Sequence, residues 1–251
     1  MKLIEYRVPM PITCEEYRIG QLYAVAKASN QETTDSQGVE VLVNEPYEKD
    51  GEKGQYTHKI YYLGNKVPGW VVAIAPANAL KIEEKAWNAF PHCRTELTNP
   101  FMGARFTYTV DTYHFDNDRG EQENAHNLDK AQLKLRTVKT LDLVDPIPDS
   151  PDPTTFVSEK TGKGKLEKGW IQKEPVVMCA YKLITVDFKY FGIQNKMENF
   201  ILSFQDNIIA KFHRQLFCWI DEWFGMSMDD IRAYEDKLAQ EMKERMKAKE
   251  E

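Results

Sequence analysis

VVMCAYKLITVDFKYFGIQNKMENFILSFQDNIIAKFHRQLFCWIDEWF, residues 176–224, decides the fold. Its first fifteen residues alternate as a strand. Cys179, Tyr181, Leu183, Thr185 and Asp187 fall on one face, and Ala180, Lys182, Ile184, Val186 and Phe188 on the other. The chain then turns at Tyr190-Phe191-Gly192. Asn195 is placed to cap a helix, with Glu198 three residues on to reach back. Met197, Phe200, Ile201, Phe204, Ile208, Phe212, Leu216, Ile220 and Trp223 recur at three- and four-residue steps. That spacing predicts one amphipathic helix of roughly 28 residues, about 42 Å long. So wide an apolar face needs a broad partner, and a sheet is the candidate.

The rest of the chain supplies one. Lys2–Val8, Val39–Val43, Gln55–Leu63, Cys93–Leu97, Arg105–His114 and Thr137–Val144 read as strands, with Pro9 ending the first. Thr13 and Glu16 form a capping box before a helix carrying Tyr17, Ile19, Leu22 and Tyr23. Ser227 and Asp230 open a last helix with Ile231, Tyr234, Leu238 and Met242 on one side. Pro68–Ala77 is compact and apolar, and a charged helix is expected around Ile82–Asn88. Four prolines between Pro146 and Pro153 exclude a regular element there. Ser158–Gly169, rich in lysine and glycine, has the composition of a mobile loop. Strands joined mostly by turns give a mainly antiparallel sheet, so the class is α+β with helices on one face.

The 251 residues, 42% apolar and 29% charged, carry a net charge of −6. The acidic balance argues against nucleic acid as a partner. No run of 18 apolar residues exists to cross a bilayer, and the first twelve residues lack a signal peptide's apolar core, so a cytoplasmic protein is expected. The cysteines Cys14, Cys93, Cys179 and Cys218 are scattered, as reduced thiols are. No nucleophile elbow, phosphate loop, dinucleotide fingerprint or HExxH occurs. His213, mid-helix beside Arg214, fits a structural or a catalytic role.

Two oddities remain. Thr57 and Lys59 sit two apart on one strand, and Thr95, Thr112 and Lys182 sit within others otherwise fit for a core. Either that face lines a cavity where the lysines meet anions, or it is wet and the lysines snorkel. Tyr190-Phe191, before a glycine, is either a pair of core plugs or an exposed tip that enters membranes.

The blocks GVEVLVNEPYEKDGEKGQYTHKIYYL, EKAWNAFPHCRT, QENAHNL, EKTGKG, CAYKLITVDFKYFG with QNKMENF, and FHRQLFCWIDEWFGMSMDDIR, in this order along nearly the whole chain, resemble the class I phosphatidylinositol transfer proteins. The resemblance implies a START-like helix-grip fold in a single domain, residues 1–251. A concave sheet of about eight strands and long helices would enclose one phospholipid. Residues 143–169 would form a regulatory loop and 227–251 a lid helix. It implies exchange of single phosphatidylinositol or phosphatidylcholine molecules between membranes, by a cytoplasmic monomer that touches membranes transiently and uses no cofactor. It implies no enzyme activity; the neighbouring class of reading is a lipid-sensing module that presents phosphatidylinositol to phosphoinositide kinases.

By the same resemblance, Thr57, Lys59, Asn88 and Glu235 would hold the inositol headgroup, with further contacts from Gln21, Thr95, Thr112 and Lys182. Cys93 would be the thiol beside the lipid, Tyr190 and Phe191 the docking pair, and Ser158 a phosphorylation position. Gln205 stands where the family's mid-helix glutamate would be. Tyr190-Phe191 replaces a Trp-Trp pair of the mammalian members, and residues 143–169 are shorter and richer in proline. The chain also stops soon after its last helix, where the mammalian tail helps hold the closed state, so easier opening is expected.

Overall fold

The strand read from Val176 runs from Met178 to Phe188 (β8) and lies near the middle of an eight-stranded sheet. The computed structural model describes residues 1–33, 38–49, 51–63, 67, 69–72 and 76–247. Its other strands are β1 (Lys2–Met10), β2 (Gly38–Lys49), β3 (Glu52–Tyr62), β4 (Lys81–Ala89), β5 (His92–Thr98), β6 (Phe106–Asp116) and β7 (Arg136–Thr140). They are ordered β2-β3-β4-β5-β6-β8-β1-β7, antiparallel throughout except for β1 with β7. The three long helices are α1 (Cys14–Glu32), α5 (Gln194–Cys218) and α7 (Met228–Lys247). Short helices α2 (Gly69–Val72), α3 (Lys130–Leu135), α4 (Trp170–Lys173) and α6 (Ile220–Trp223) lie between.

Local chemistry explains most boundaries. Thr13 and Glu16 make the reciprocal capping box at α1, and Ser227 with Asp230 does the same at α7. Pro9 stays within β1 because β7 reaches only as far as Arg7, so β1 has one neighbour there. Pro46 is tolerated in β2 because β2 is a sheet edge. β7 ends at Thr140, short of Val144.

Three expectations are corrected. Ile82–Asn88 is not a helix but most of β4, paired on both sides. Its Glu, Lys and Ala favour a helix, but two flanking ladders outweigh that propensity. The long helix ends at Cys218; Trp219 breaks it and α6 follows, its Trp223 indole N–H donating back to the Leu216 carbonyl at 2.9 Å. Asn195 does not cap α5. Glu198 is buried instead, accepting from the Phe188 N–H (3.1 Å) and the Gln194 amide (3.0 Å) and so pinning helix to strand. Burial alone would raise its pKa; those hydrogen bonds hold it below the carboxylate range.

Residues 158–169 also differ from a loose loop. Val157 bridges Gly164, and the Ser158 N–H donates to the Lys163 carbonyl at 2.7 Å. The Asp221 carboxylate caps the turn, accepting from Ser158 Oγ (2.5 Å) and from the Glu159 and Lys160 N–H groups. The main core joins β1, β6 and β8 to α1, α5 and α6. At Gly20 a methyl group would sit 2.8 Å from the Trp223 ring, so glycine lets α1 lie against α6.

Candidate functional site

Cross-strand register assembles the site. Directly paired residues share a face, so Asn88, Cys93, Thr112 and Lys182 form one row across β4, β5, β6 and β8, continuing to Tyr6 of β1. The next row holds Thr57, Ala86 and Thr95. The third pairs Lys59 with Glu84. Six of the eight expected headgroup residues, with Cys93, therefore line one patch of five consecutive strands.

The part of that patch on β3, β4 and β5 has no helix laid on it. Among the described residues, α7 and α1 pack on β2, α1 also reaches β6, and α5 lies on β8; none packs along β3, β4 or β5. The helices bridge the sheet rather than cover it, and Lys59, Asn88, Thr95 and Lys182 stay half-buried in mid-sheet. A recess of about 300 Å³ between Tyr47, Trp87, His92 and Arg94 lies on the opposite face and is no part of this patch.

The electrostatics of the patch are unusual. Among the described residues the side chains of Thr57, Asn88, Thr95, Thr112 and Lys182 make no hydrogen bond or ion pair. Burial depresses the Lys182 ammonium to a pKa of about 8. Its aromatic neighbour is Tyr17, with the ring centroid 6.0 Å away. Burial also lifts the Cys93 thiol to about 12, against the weaker pull of Lys182 and Arg18. Lys59 has a partner, Glu84 at 3.7 Å, which also accepts from Tyr61 Oη at 3.1 Å. An unpaired polar group held out of water costs about 1–3 kcal/mol. None of these five side chains has a polar atom that is both buried and unpaired, so the row opens onto the space above the sheet, where closure over a polar ligand would leave that ligand as their partner.

The two helical candidates approach from the helices spanning the patch. Gln21 of α1 lies one turn beyond Tyr17, and its carbonyl oxygen is buried without a hydrogen-bond partner. Glu235 of α7 accepts from Arg232 (2.5 Å) and from the Asn44 amide of β2 (3.1 Å). Asn44 in turn accepts from Gln55 at 2.7 Å, and Gln55 is the register partner of Asn88. A three-residue relay thus ties α7 to the edge of the patch. α7 is seated by buried Ile231, Leu238 and Met242 and by Tyr234 stacked on Tyr23 at 4.6 Å.

Glu84, Asn44 and Gln55 were missed from sequence. Glu84 was hidden by the helical reading of 82–88. Asn44 and Gln55 lie beyond the strand first read at Val43 and across its hairpin, and only the register joins them. Gln205 accepts from Tyr108 Oη at 2.6 Å. The carboxylate of this helix turn is Asp206, held by Tyr6 Oη (2.5 Å) and Lys139 (2.8 Å).

The remaining candidates lie elsewhere. Tyr190 is not free: its ring packs on Phe188 at 5.0 Å and under the Arg105 guanidinium at 4.9 Å. Phe191 beside it is fully exposed. Ser158 is 1% exposed and hydrogen-bonded to Asp221, so a kinase reaches it only if that turn opens. His213 is structural. Its Nδ1–H donates to the Ile209 carbonyl (2.7 Å) and its Nε2 accepts from Tyr17 Oη (2.9 Å), while burial lowers its pKa to about 3. No helix among the described residues is long and apolar enough to cross a membrane.

The comparisons with known proteins point one way. The model of the family described as "Phosphatidylinositol transfer protein" matches residues 1–240. A Dictyostelium discoideum protein named "Phosphatidylinositol transfer protein 1" is 51% identical over 259 residues, covering 100% of this chain and 98% of its own. The human "Phosphatidylinositol transfer protein beta isoform" is 47% identical over 250 residues, covering 95% and 92%. A solved dicamba monooxygenase chain aligns with a TM-score of 0.37 at 10% identity, covering 99% of this chain and 60% of its own, and carries no argument.

Proposed function

The chain belongs to the phosphatidylinositol transfer protein family, and on that footing we propose that it carries one phosphatidylinositol or phosphatidylcholine molecule at a time between membranes. The observation that carries this reading is the row of polar side chains on the inner face with no protein partner.

Lys182 and Thr112 suit the phosphate that both lipids possess. Lys59, Thr57, Asn88 and Glu235 suit inositol hydroxyls, which accept from the first two and exchange hydrogen bonds with the others. Choline offers no hydroxyl donors, so it leaves Asn88 and Glu235 less well matched, and selectivity follows from that mismatch. The acyl chains lie toward α5, whose stripe of Ile201, Phe204, Ile208 and Phe212 is apolar and only partly covered. Burying two chains at about 0.8 kcal/mol per CH₂ holds the lipid firmly.

Release needs a lid, and α7 is proposed to fill that role within a one-domain chain. Its Glu235 is joined through Asn44 and Gln55 to the edge of the headgroup patch. Cys93, in the same row as Lys182, lies beside the lipid. Gln21 and Thr95 complete the polar rim. The protein acts as a cytoplasmic monomer without a cofactor and without chemistry on the lipid, and Phe191 docks it at the membrane while Tyr190, packed on Phe188 and Arg105, holds the turn that presents it.

The test is transfer of labelled lipids between vesicles by the purified protein alone. Movement of both lipids, with intact lipid recovered, supports carriage. Binding without transfer would replace it with presentation of phosphatidylinositol to a kinase, and a hydrolysis product would overturn the non-enzymatic reading.

A further inference from the structure

Sheet register sorts the loops by end. The turn after β8 (residues 188–197), the β5–β6 connection (99–106) and the turn at 76–81 lie together. Phe106 pairs with Phe188, the Lys189 N–H donates to the Arg105 carbonyl at 2.7 Å, and Asn99 donates to the Ala79 and Lys81 carbonyls. In a chain of net charge −6, residues 99–106, 188–197 and 76–81 contain no carboxylate, but carry Lys81, Arg105, Lys189 and Lys196. Lys189 shares Asp187 of β8 at 3.2 Å, and Lys81 lies over the Tyr62 ring at 5.0 Å. The other end is the reverse: residues 116–124 hold four carboxylates and one arginine.

Large apolar side chains stand out from the same basic end. Phe191 is fully exposed, and Phe101 is 47% exposed. Tyr190 is withheld by Phe188 and Arg105, so among the described side chains of this end Phe101 from the neighbouring loop joins Phe191 as an exposed aromatic ring.

We propose that Phe101, with Arg105 and Lys81, forms with Phe191 a three-loop rim that inserts into the surface of a bilayer containing anionic lipid. The proposal rests on the docking reading above and extends it to residues outside the β8–α5 turn. Isolated aromatic rings above a ring of cations fit the interface of a charged membrane, where rings sit at headgroup depth and cations meet lipid phosphates. The acidic far end points the molecule the same way.

The test is sedimentation of the full chain with vesicles of phosphatidylcholine alone and with about one-fifth phosphatidylserine, for Phe101→Ser, Phe191→Ser, Arg105→Gln and Leu135→Ser. Leu135 is 58% exposed on α3, outside the three loops, and serves as the control. Phe101→Ser and Phe191→Ser should each weaken binding about tenfold, Arg105→Gln about fivefold on the anionic vesicles only, and Leu135→Ser not at all. Phe101→Trp should strengthen binding, which covers the case of a misfolded serine variant. If Phe191→Ser weakens binding and neither Phe101 variant changes it, the rim is wrong and docking at Phe191 stands. If no phenylalanine variant changes binding, the docking reading falls and the rim with it. Equal loss by Arg105→Gln on both vesicles would refute the anionic partner.

Discussion

The two faces of the same strands treat polar residues in opposite ways. On the outer face Glu5 is completely buried and accepts from Arg7 (2.8 Å) and Arg136 (2.6 Å). In the same row Arg94 forks onto both oxygens of Asp111, and Tyr181 in the next row donates to Asp118 at 2.6 Å. On the inner face, one residue along β8, Lys182 faces Thr112 with no carboxylate beside it. The outer charges are matched within the protein and belong to the fold. On the inner face Lys59 is paired with Glu84, but Thr57, Asn88, Thr95, Thr112 and Lys182 have no such partner among the described residues, and the proposed function assigns them to a ligand. A polar residue in a strand is thus interpreted by its partners, and the alternation that places Tyr181 and Lys182 on opposite faces separates structure from function along one segment.

That contrast is broken most severely from the outer side. Glu5→Ala takes the carboxylate from two half-buried guanidinium groups and should cost about 3 kcal/mol of unfolding free energy, read from the denaturant midpoint. A loss under about 1 kcal/mol would mean that the outer network is not structural. Lys182→Met should do the opposite, raising the stability of lipid-free protein by on the order of 1 kcal/mol while weakening both lipids.

Headgroup selectivity is the next effect. Lys59→Ala should reduce phosphatidylinositol binding by at least tenfold and phosphatidylcholine binding far less, measured by competition between the two lipids. It leaves Glu84 unpaired, so the Lys59→Ala, Glu84→Gln double variant should recover stability without recovering selectivity. Equal loss of both lipids would make Lys59 a shared phosphate contact or a structural residue.

The pH dependence sharpens the inner face. The Lys182 pKa falls from 10.5 to about 8 on folding. Between those values the unfolded chain keeps a proton that the folded chain has released, so the lipid-free protein gains stability as pH rises through that window. The penalty of the buried charge is complete below about 8. Lipid phosphate needs the charged form, so lipid affinity should decline above about pH 8. Titrations of wild type and Lys182→Met should differ in that window, and coincident profiles would contradict this account.

The smallest effects concern access. The Cys93 thiol, pushed up to about 12, should react slowly with a bulky maleimide in solution, and the proposed lid motion of α7 predicts faster reaction on vesicles. Asn44→Ala cuts the relay from Gln55 to Glu235 and should cost about 1 kcal/mol. Hydrogen exchange along α7 should speed up while β8 is unchanged.

The sequence already carried the starts of α1 and α7 and the face shared by Thr57 and Lys59. Capping boxes are local, and alternation on a long strand survives any tertiary context. What it hid depends on pairing. Residues 82–88 have helix-forming composition, so β4 and its Glu84 emerge only when β3 and β5 flank them. The relay of Gln55, Asn44 and Glu235 joins a hairpin to a helix some 190 positions away, and no local pattern encodes it. Glu198 has the spacing of a capping partner but spends its carboxylate on the Phe188 N–H of the preceding strand. Lysines and glycines between Ser158 and Gly169 suggest mobility, yet Asp221 fastens that turn from a distance.

The central claim is that the unpaired inner face holds a phospholipid. Native mass spectrometry of the purified protein, followed by lipid extraction, tests it most directly. The account predicts one glycerophospholipid per chain, replaced by phosphatidylinositol when that lipid is offered and lost in Lys182→Met. A protein that stays empty in the presence of both lipids, or that binds them equally well without Lys182, would contradict it.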